Sequence, residues 1–357
     1  MARWPDTSML RWGILGTARI SRRLIPAFRA SKRGRLAAVA SRDLARAAAH
    51  AAEHGIPRAV QGYQALLDDP SIDAVYIPLP NTDHVPWTLA AIGAGKHVLC
   101  EKPLALDPHD IDRIAAAAAA AKVVVEEGFM YRHEPLTQRV ASLVHDGAIG
   151  TIRAIVSGFT FALDGARANI RLNAALGGGA LWDIGGYPVT YAQLLAGEAP
   201  TVAFGIAHWA PSGVDDEFMG MLRFDSGLTA NVYASFRAEY RTWLEVLGTR
   251  GALTVPNPFR PGPLETLEIE RGGQIERIDV AGSAGIFVNE VADFERAVLD
   301  GAPTVVSLAE SRRTAAALSA LYAAASTERS STDYTDSTDA RTRDAGLRPA
   351  RRNASTD

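Results

Sequence analysis

Asp183 and Tyr187 stand four residues apart in the stretch Gly177-Gly178-Gly179-Ala180-Leu181-Trp182-Asp183-Ile184-Gly185-Gly186-Tyr187. On a helix that spacing sets a carboxylate and a phenol on one face. The apolar run Leu181 to Leu195 reads as that helix. The three glycines before it permit positive φ or a close backbone approach. Pro188 follows Tyr187 directly. A helix interior disfavours proline and the first turn tolerates it, so the helix is kinked there or the stretch Asp183 to Tyr187 is its entry. Taken alone, the segment equally describes a glycine-rich turn ahead of a core helix. Chemistry here depends on what the rest of the chain brings to it.

A second set of residues suits phosphate. Residues 11–20 read Arg-Trp-Gly-Ile-Leu-Gly-Thr-Ala-Arg-Ile, a short apolar strand that runs into a turn. A helix (Ile20 to Ala30) and a second strand (Leu36 to Ala40) follow, giving the βαβ setting of a dinucleotide fingerprint. Gly16 holds the first glycine position, while Ala18 and Ser21 stand at the other two. An alanine still lets a pyrophosphate approach the helix N-terminus, where free N–H groups favour anions. The second strand ends Ser41-Arg42-Asp43. A hydroxyl and a guanidinium at that tip suit a 2′-phosphate, and the acid comes late enough to cap the helix Leu44 to His54. The reading is NADP in preference to NAD.

The elements that must position these residues follow from the alternation. Helices at 63–67, 85–94 and 110–121 alternate with strands at 74–78, 97–100 and 123–125, which predicts a parallel, doubly wound Rossmann sheet. Gly16, Ser41, Arg42, Asn81 and Lys102 all fall at strand carboxyl ends, where ligands bind on such sheets. Beyond Met130 a helix at 134–145 precedes strands at 152–161, 202–209, 218–224, 228–236, 243–248, 264–271 and 274–280. Strands in succession predict a second, α+β domain with a large, mostly antiparallel sheet. One face of it would be left for a second copy of the chain, giving a dimer or tetramer. The boundaries read are 10–128 for the dinucleotide domain and 129–326 for the substrate domain. From 327 to 357 the Ser/Thr/Asp/Arg-rich composition predicts a disordered tail.

Bulk properties exclude other classes. A formal charge of −3 offers no basic footprint for nucleic acid and no polybasic membrane patch. The longest apolar run, Ile114 to Ala121, is too short to span a bilayer, and Met1 to Leu10 lacks a signal-peptide core. A cytoplasmic setting is expected. The single cysteine, Cys100, rules out an internal disulfide framework. The histidines are read as falling at no metal-ligand spacing, and no metal is expected.

Five motifs in order give a resemblance. They are Gly-Ile-Leu-Gly at 13–16, Pro-Leu-Pro-Asn-Thr-Asp-His at 78–84, Ala-Gly-Lys-His-Val-Leu-Cys-Glu-Lys-Pro at 94–103, Glu-Gly-Phe-Met-Tyr-Arg at 127–132, and the stretch 177–187. From about Arg11 to about Ala325 the chain resembles the glucose–fructose oxidoreductase/inositol dehydrogenase (Gfo/Idh/MocA) family of NAD(P)-dependent oxidoreductases. The resemblance implies that Lys102 of Glu101-Lys102-Pro103 reaches nicotinamide and substrate, and that the peptide before Pro103 is cis. Many members carry a His where this chain has Tyr187. That departure is similar to the branch of glucose–fructose oxidoreductase, NADP-dependent xylose dehydrogenases and dimeric dihydrodiol dehydrogenase.

On this resemblance Tyr187 is the general acid/base, Lys102 favours its phenolate and orients the hydroxyl, and Asp183 positions substrate or Lys102. The cofactor would lie along Gly16, Thr17, Ala18, Arg19 and Ile20. Ser41, Arg42, Leu79, Pro80, Asn81, Glu101, Lys102 and Arg132 would contact it further along. His84 touches cofactor or bonds a backbone group, and Trp182 flanks the nicotinamide or packs. Arg171 meets substrate hydroxyls or forms an ion pair, while Phe161 and Phe259 wall the pocket or fill the core. The implied activity is NADP-dependent oxidation of an aldose such as D-xylose or D-glucose to its lactone. A trans-dihydrodiol dehydrogenase, or a non-catalytic or hydrolytic NAD(P)-binding relative, is the alternative.

Overall fold

Strand β1 (Leu10–Leu15) is buried along nearly its whole length, as the centre of a parallel sheet covered on both faces must be. It opens a regular alternation of α1 (Ser21–Ala30), β2 (Gly34–Ser41), α2 (Leu44–Glu53), β3 (Arg58–Gln61), α3 (Tyr63–Leu67), β4 (Ala74–Ile77), α4 (Asn81–Gly93), β5 (His97–Glu101), α5 (Pro108–Ala121) and β6 (Val125–Gly128). The computed structural model describes residues 9–163 and 169–336. The six strands are parallel in the order β3-β2-β1-β4-β5-β6, the doubly wound Rossmann arrangement. Its crevice opens where the order reverses, between β1 and β4. Strand β3 carries no period that sequence could show, because its four residues sit on a half-exposed edge.

The second half holds α6 (Pro135–His145), β7 (Ile152–Thr160), α7 (Gly186–Ala196), β8 (Pro200–Trp209), β9 (Asp215–Phe224), β10 (Thr229–Ser235), β11 (Arg241–Gly248), β12 (Gly251–Val255), β13 (Leu264–Arg271), β14 (Gln274–Ala281), α8 (Val288–Asp300) and α9 (Leu308–Asp336). The strands form one sheet, β14-β13-β12-β11-β7-β10-β9-β8, antiparallel except for the β7–β10 pair. Strand β12, unanticipated, returns from β11 through a tight turn with Gly248 opposite Gly251. Along β9 the period is two. Phe218, Leu222 and Phe224 turn inward, whereas Met219 and Met221 join Val202, Phe204 and Ile206 of β8 on an exposed apolar face.

One expectation is refined and one corrected. The helix read as Leu181 to Leu195 is helical throughout, and its first turn, Leu181–Gly185, is π-helical and runs straight into α7. Pro188 therefore sits in the first turn of α7, which tolerates proline, and Asp183 belongs to the entry. The tail read as disordered from residue 327 begins as helix, since α9 continues to Asp336. Extending a formed helix carries no nucleation cost, so polar residues without a breaker prolong it. Residues 337–357 of that tail lie outside the described residues.

The sequence boundary near residue 128 is not a packing boundary. Helices α8 and α9 return to the first sheet's side. Fully buried Trp12 of β1 donates its indole N–H to Glu295 of α8 at 2.9 Å and lies 5.1 Å from the Phe294 ring. Arg312 of α9 pairs with Asp112 of α5 at 2.7 Å. Among the described residues no helix is long and apolar enough to cross a membrane.

Candidate active site

Lys102 leaves the end of β5 ahead of a cis peptide to Pro103, as expected. Its ammonium donates to the Asp183 carbonyl oxygen at 2.6 Å and to Asp183 Oδ1 at 2.9 Å. Asp183 Oδ2 accepts from Arg171 Nε at 2.5 Å. Burial alone would raise the Asp183 pKa, but Lys102 and Arg171 outweigh it and hold the carboxyl down at about 2. One carboxylate thus fixes two cations at the mouth of the crevice. Of the alternatives for Asp183, the structure takes the one that positions Lys102.

The glycines make this possible. Gly179 has φ +130°, and a Cβ there would stand 2.2 Å from Asp215 Oδ1. A Cβ on Gly178 would meet the Arg171 carbonyl oxygen at 2.5 Å. The close approach is therefore to the chain itself, and it lays the Arg171 segment against the π-turn. Asp215 supplies the missing N-terminal partner, accepting from Leu181 N at 2.7 Å. Burial raises its pKa to about 7. Across the crevice, Asn81 Nδ2 donates to the Gly177 carbonyl oxygen at 2.7 Å, tying α4 to the glycine turn.

Tyr187 departs from expectation. Its ring lies in an aromatic box of Phe129, Tyr131, Phe159 and Phe259, with centroids 5.3–5.8 Å away. Lys102 Nζ stands over the ring face, 5.4 Å from its centroid, and the hydroxyl donates to Met130 Sδ at 3.6 Å. Burial, reinforced by the nearby Glu101 charge, pushes the phenol pKa up. Lys102 therefore does not lower that pKa in this arrangement. It is held by Asp183, and thioether sulfur is only a weak acceptor for the phenol.

The residues read as cofactor contacts converge on the carboxyl ends of β1, β2 and β4. Gly16 has φ +110°, and a Cβ there would press to 2.9 Å from Leu79. Thr17, Ala18 and exposed Arg19 form the turn, and Ile20 opens α1 with no side-chain cap and no acid in the first turn. Such an uncapped N-terminus suits an anion. Buried Ser41 and exposed Arg42 end β2, and Asp43 caps α2 by accepting from Ala45 N at 2.8 Å. With that acid engaged, the tip is left to a hydroxyl and a cation, which fits a 2′-phosphate better than a bare ribose. Burial raises the pKa of Tyr63 while the neighbouring Arg42 and Arg46 oppose it. Tyr63 and Arg46 thus belong to the same corner. Sequence reading missed both, and the place of Arg46 in the first turn of α2, just after the β2 tip, was the available signal. Leu79 and Pro80 form the wall leading into α4.

Other candidates have partners within the chain. His84 is buried, with Nδ1 2.7 Å from the Pro103 carbonyl oxygen and Nε2 2.8 Å from that of Leu79, so it staples two loops. Glu101 accepts from Tyr76 Oη at 2.7 Å, and Arg132 pairs with Glu310 at 2.8 Å. Trp182 packs against Tyr322 of α9. Phe259 is fully buried behind Tyr187, whereas half-buried Phe161 lies under the Arg171 guanidinium at 5.7 Å. Of the substrate candidates, Arg171 and Phe161 stay together beside Asp183, and Phe259 supports Tyr187 from behind. The reading that no histidines share a metal-ligand spacing is corrected. His50, Glu53 and His54 bring one ligand atom each to within 4.8 Å of one another.

Comparison with known proteins agrees with this geometry. Residues 10–129 match the family described as "Oxidoreductase family, NAD-binding Rossmann fold", and residues 137–254 match the "GFO/IDH/MocA C-terminal domain". A D-xylose 1-dehydrogenase (NADP(+)) of Haloferax volcanii is 39% identical over 89% of this chain and 98% of its own length. A dTDP-3,4-didehydro-2,6-dideoxy-alpha-D-glucose 3-reductase of Streptomyces violaceoruber is 40% identical over 75% of this chain and 80% of its own. The solved structure of a 3-ketoreductase from Actinomadura kijaniata, in complex with NADP and TDP-benzene, superposes with a TM-score of 0.83 at 33% identity, covering 88% of this chain and 97% of that one. With both domains matched and the crevice built as described, the chain belongs to the Gfo/Idh/MocA family of oxidoreductases.

Proposed function

We propose that this oxidoreductase is an NADP-dependent aldose 1-dehydrogenase, taking D-xylose or D-glucose to the lactone. The observation that carries the reading is the Lys102–Asp183–Arg171 cluster beside Tyr187. Two cations and a half-buried Phe161 ring face one point, a combination that suits a polyhydroxylated ring with one apolar side. Bound NADP supplies the hydride acceptor. Gly16 to Ile20 would hold its phosphates, and Ser41, Arg42 and Arg46 its 2′-phosphate. Lys102, fixed by Asp183, donates a hydrogen bond to the reacting oxygen, and Arg171 orients a neighbouring hydroxyl. Tyr187 moves the proton. In oxidation it accepts the hydroxyl proton as phenolate, against the burial that keeps the phenol protonated at rest.

A second reading, reduction of a sugar ketone, rests on one observation. Burial keeps Tyr187 protonated, so the resting site holds a proton ready to give. The dihydrodiol alternative has less support, because the aromatic rings it needs as pocket walls surround Tyr187 instead. A non-catalytic role fits poorly with Lys102, Asp183 and Tyr187 held in one site.

The test offers the protein NADP⁺ with aldoses, polyols and dihydrodiols, and NADPH with keto sugars, following reduced nicotinamide by absorbance. Aldose-dependent reduction of NADP⁺ is expected. Turnover confined to the keto sugars would replace the first reading by the second. Tyr187→Phe is expected to lower turnover by about 10²–10⁴-fold with cofactor affinity unchanged. Near-wild-type turnover in that variant would remove Tyr187 from the mechanism.

The exposed apolar face of β8 and β9 supports a homo-oligomer formed sheet against sheet. Val202, Phe204, Ile206, Met219 and Met221 are each between 40% and 54% exposed there.

A further inference from the structure

Away from the crevice, the last turn of α2 carries His50-Ala51-Ala52-Glu53-His54, with His54 as the C-cap residue. Residues spaced i, i+3 and i+4 share one side of a helix. The two imidazole rings lie 4.6 Å apart, inclined at 65°. His54 Nε2 is buried, has no hydrogen-bond partner, and stands 3.6 Å from Glu53 Oε1. The other carboxylate oxygen, Oε2, is held by Arg22 Nη2 at 3.1 Å, which leaves Oε1 aimed inward. Ser21 Oγ gives its hydrogen to the Ala18 carbonyl oxygen at 2.6 Å, so it accepts from His50 Nε2 at 3.3 Å, which leaves His50 Nδ1 as the lone-pair nitrogen of that ring.

Two nitrogens and one carboxylate oxygen are a donor set for a borderline cation. Tetrahedral bonds of about 2.0–2.1 Å place neighbouring ligand atoms roughly 3.3 Å apart. The His54–Glu53 separation, 3.6 Å, is already close to that edge, and the ligand atoms of all three residues lie within 4.8 Å of one another, so binding an ion requires them to draw together. Mg²⁺ and Ca²⁺ prefer all-oxygen shells, whereas imidazole selects Zn²⁺, Co²⁺, Ni²⁺ and Cu²⁺. Glu53 is half exposed, so an ion can enter from solvent past it.

We propose that His50, Glu53 and His54 form a binding site for a Zn²⁺-class divalent cation, with Arg22 as the outer partner that orients Glu53.

The untagged full chain, stripped with chelator and titrated with Co²⁺, is expected to give ligand-field absorption saturating at one equivalent. Zn²⁺ is expected to displace it, with the affinity read by calorimetry. His54→Ala and Glu53→Gln each weaken Zn²⁺ binding at least about tenfold, and Arg22→Ala does so by about 10–100-fold, the usual effect of losing an outer partner. His109→Ala, a histidine on another helix, leaves the titration unchanged. Glu53→Gln alters only an exposed carboxylate and decides the matter if His54→Ala fails to fold. Absence of a one-equivalent site, or Zn²⁺ affinity undiminished in Glu53→Gln, would overturn the assignment.

Discussion

At the scale of single residues the site turns on how one carboxylate is shared. Asp183 binds Lys102 with Oδ1 and Arg171 with Oδ2, so its two neighbours are to be separated by kinetics. Asp183→Asn keeps the shape and removes the charge that fixes Lys102, and kcat is expected to fall by about 10²-fold or more. Arg171→Ala leaves Lys102 in place and is expected to raise KM for the sugar more than it lowers kcat. Equal losses of kcat in both variants would put Arg171 at the reacting oxygen instead. Lys102 was legible in sequence because motif and strand-end position both marked it, and Tyr187 because the glycine-led motif placed it four residues after Asp183. The partner of the Tyr187 hydroxyl was not. Met130 is a generic apolar residue, and only packing brings its sulfur to the phenol.

At the scale of elements the π-turn and its glycines set the geometry. Gly179→Ala would force a methyl against Asp215 at a φ that alanine resists, with an expected loss of about 1–3 kcal/mol measured by denaturant unfolding. Wild-type stability in that variant would show that the turn can relax. Buried acids shape the pH profile. Asp215, ordinarily near 3.8, and Glu127, ordinarily near 4.5, are both raised to about 7 by burial. Between those values the native state keeps protons that the unfolded chain has lost, so stability falls as pH rises from about 4 to about 7. Asp183 acts in the opposite sense, its contribution disappearing as pH drops below 3.8 towards 2. Thermal melts of Asp215→Asn are expected to show a flatter decline over the first window, by up to about 1.4 kcal/mol per pH unit. Parallel slopes would contradict this. Sequence could mark Gly177 to Gly179 as special but not say which atoms they approach. Asp215 is a polar residue in a strand far along the chain, with no local pattern to connect it to Leu181. The proline at 188 did carry information, since a first turn tolerates it and a helix interior disfavours it.

At the scale of the whole molecule the two sheets were legible because buried parallel strands and half-buried antiparallel strands follow different periods. Strand β3, on an edge, and β12, inside the second sheet, are too short to show a period and were not. The apolar outer face of β8 and β9 predicts that Phe204→Glu with Met219→Glu reduces the oligomer measured by light scattering, while a monomeric wild type would remove the basis for that face. Division into domains is where reading along the chain and packing part company. Trp12 is made 283 residues ahead of Glu295, whose carboxylate, with the neighbouring Phe294 ring, completes its surroundings. A nascent chain that has emitted the whole first sheet still presents that indole unfinished. The surroundings of that indole are complete only after α8 has left the ribosome, so at this point of the core the order of synthesis is not the order of packing.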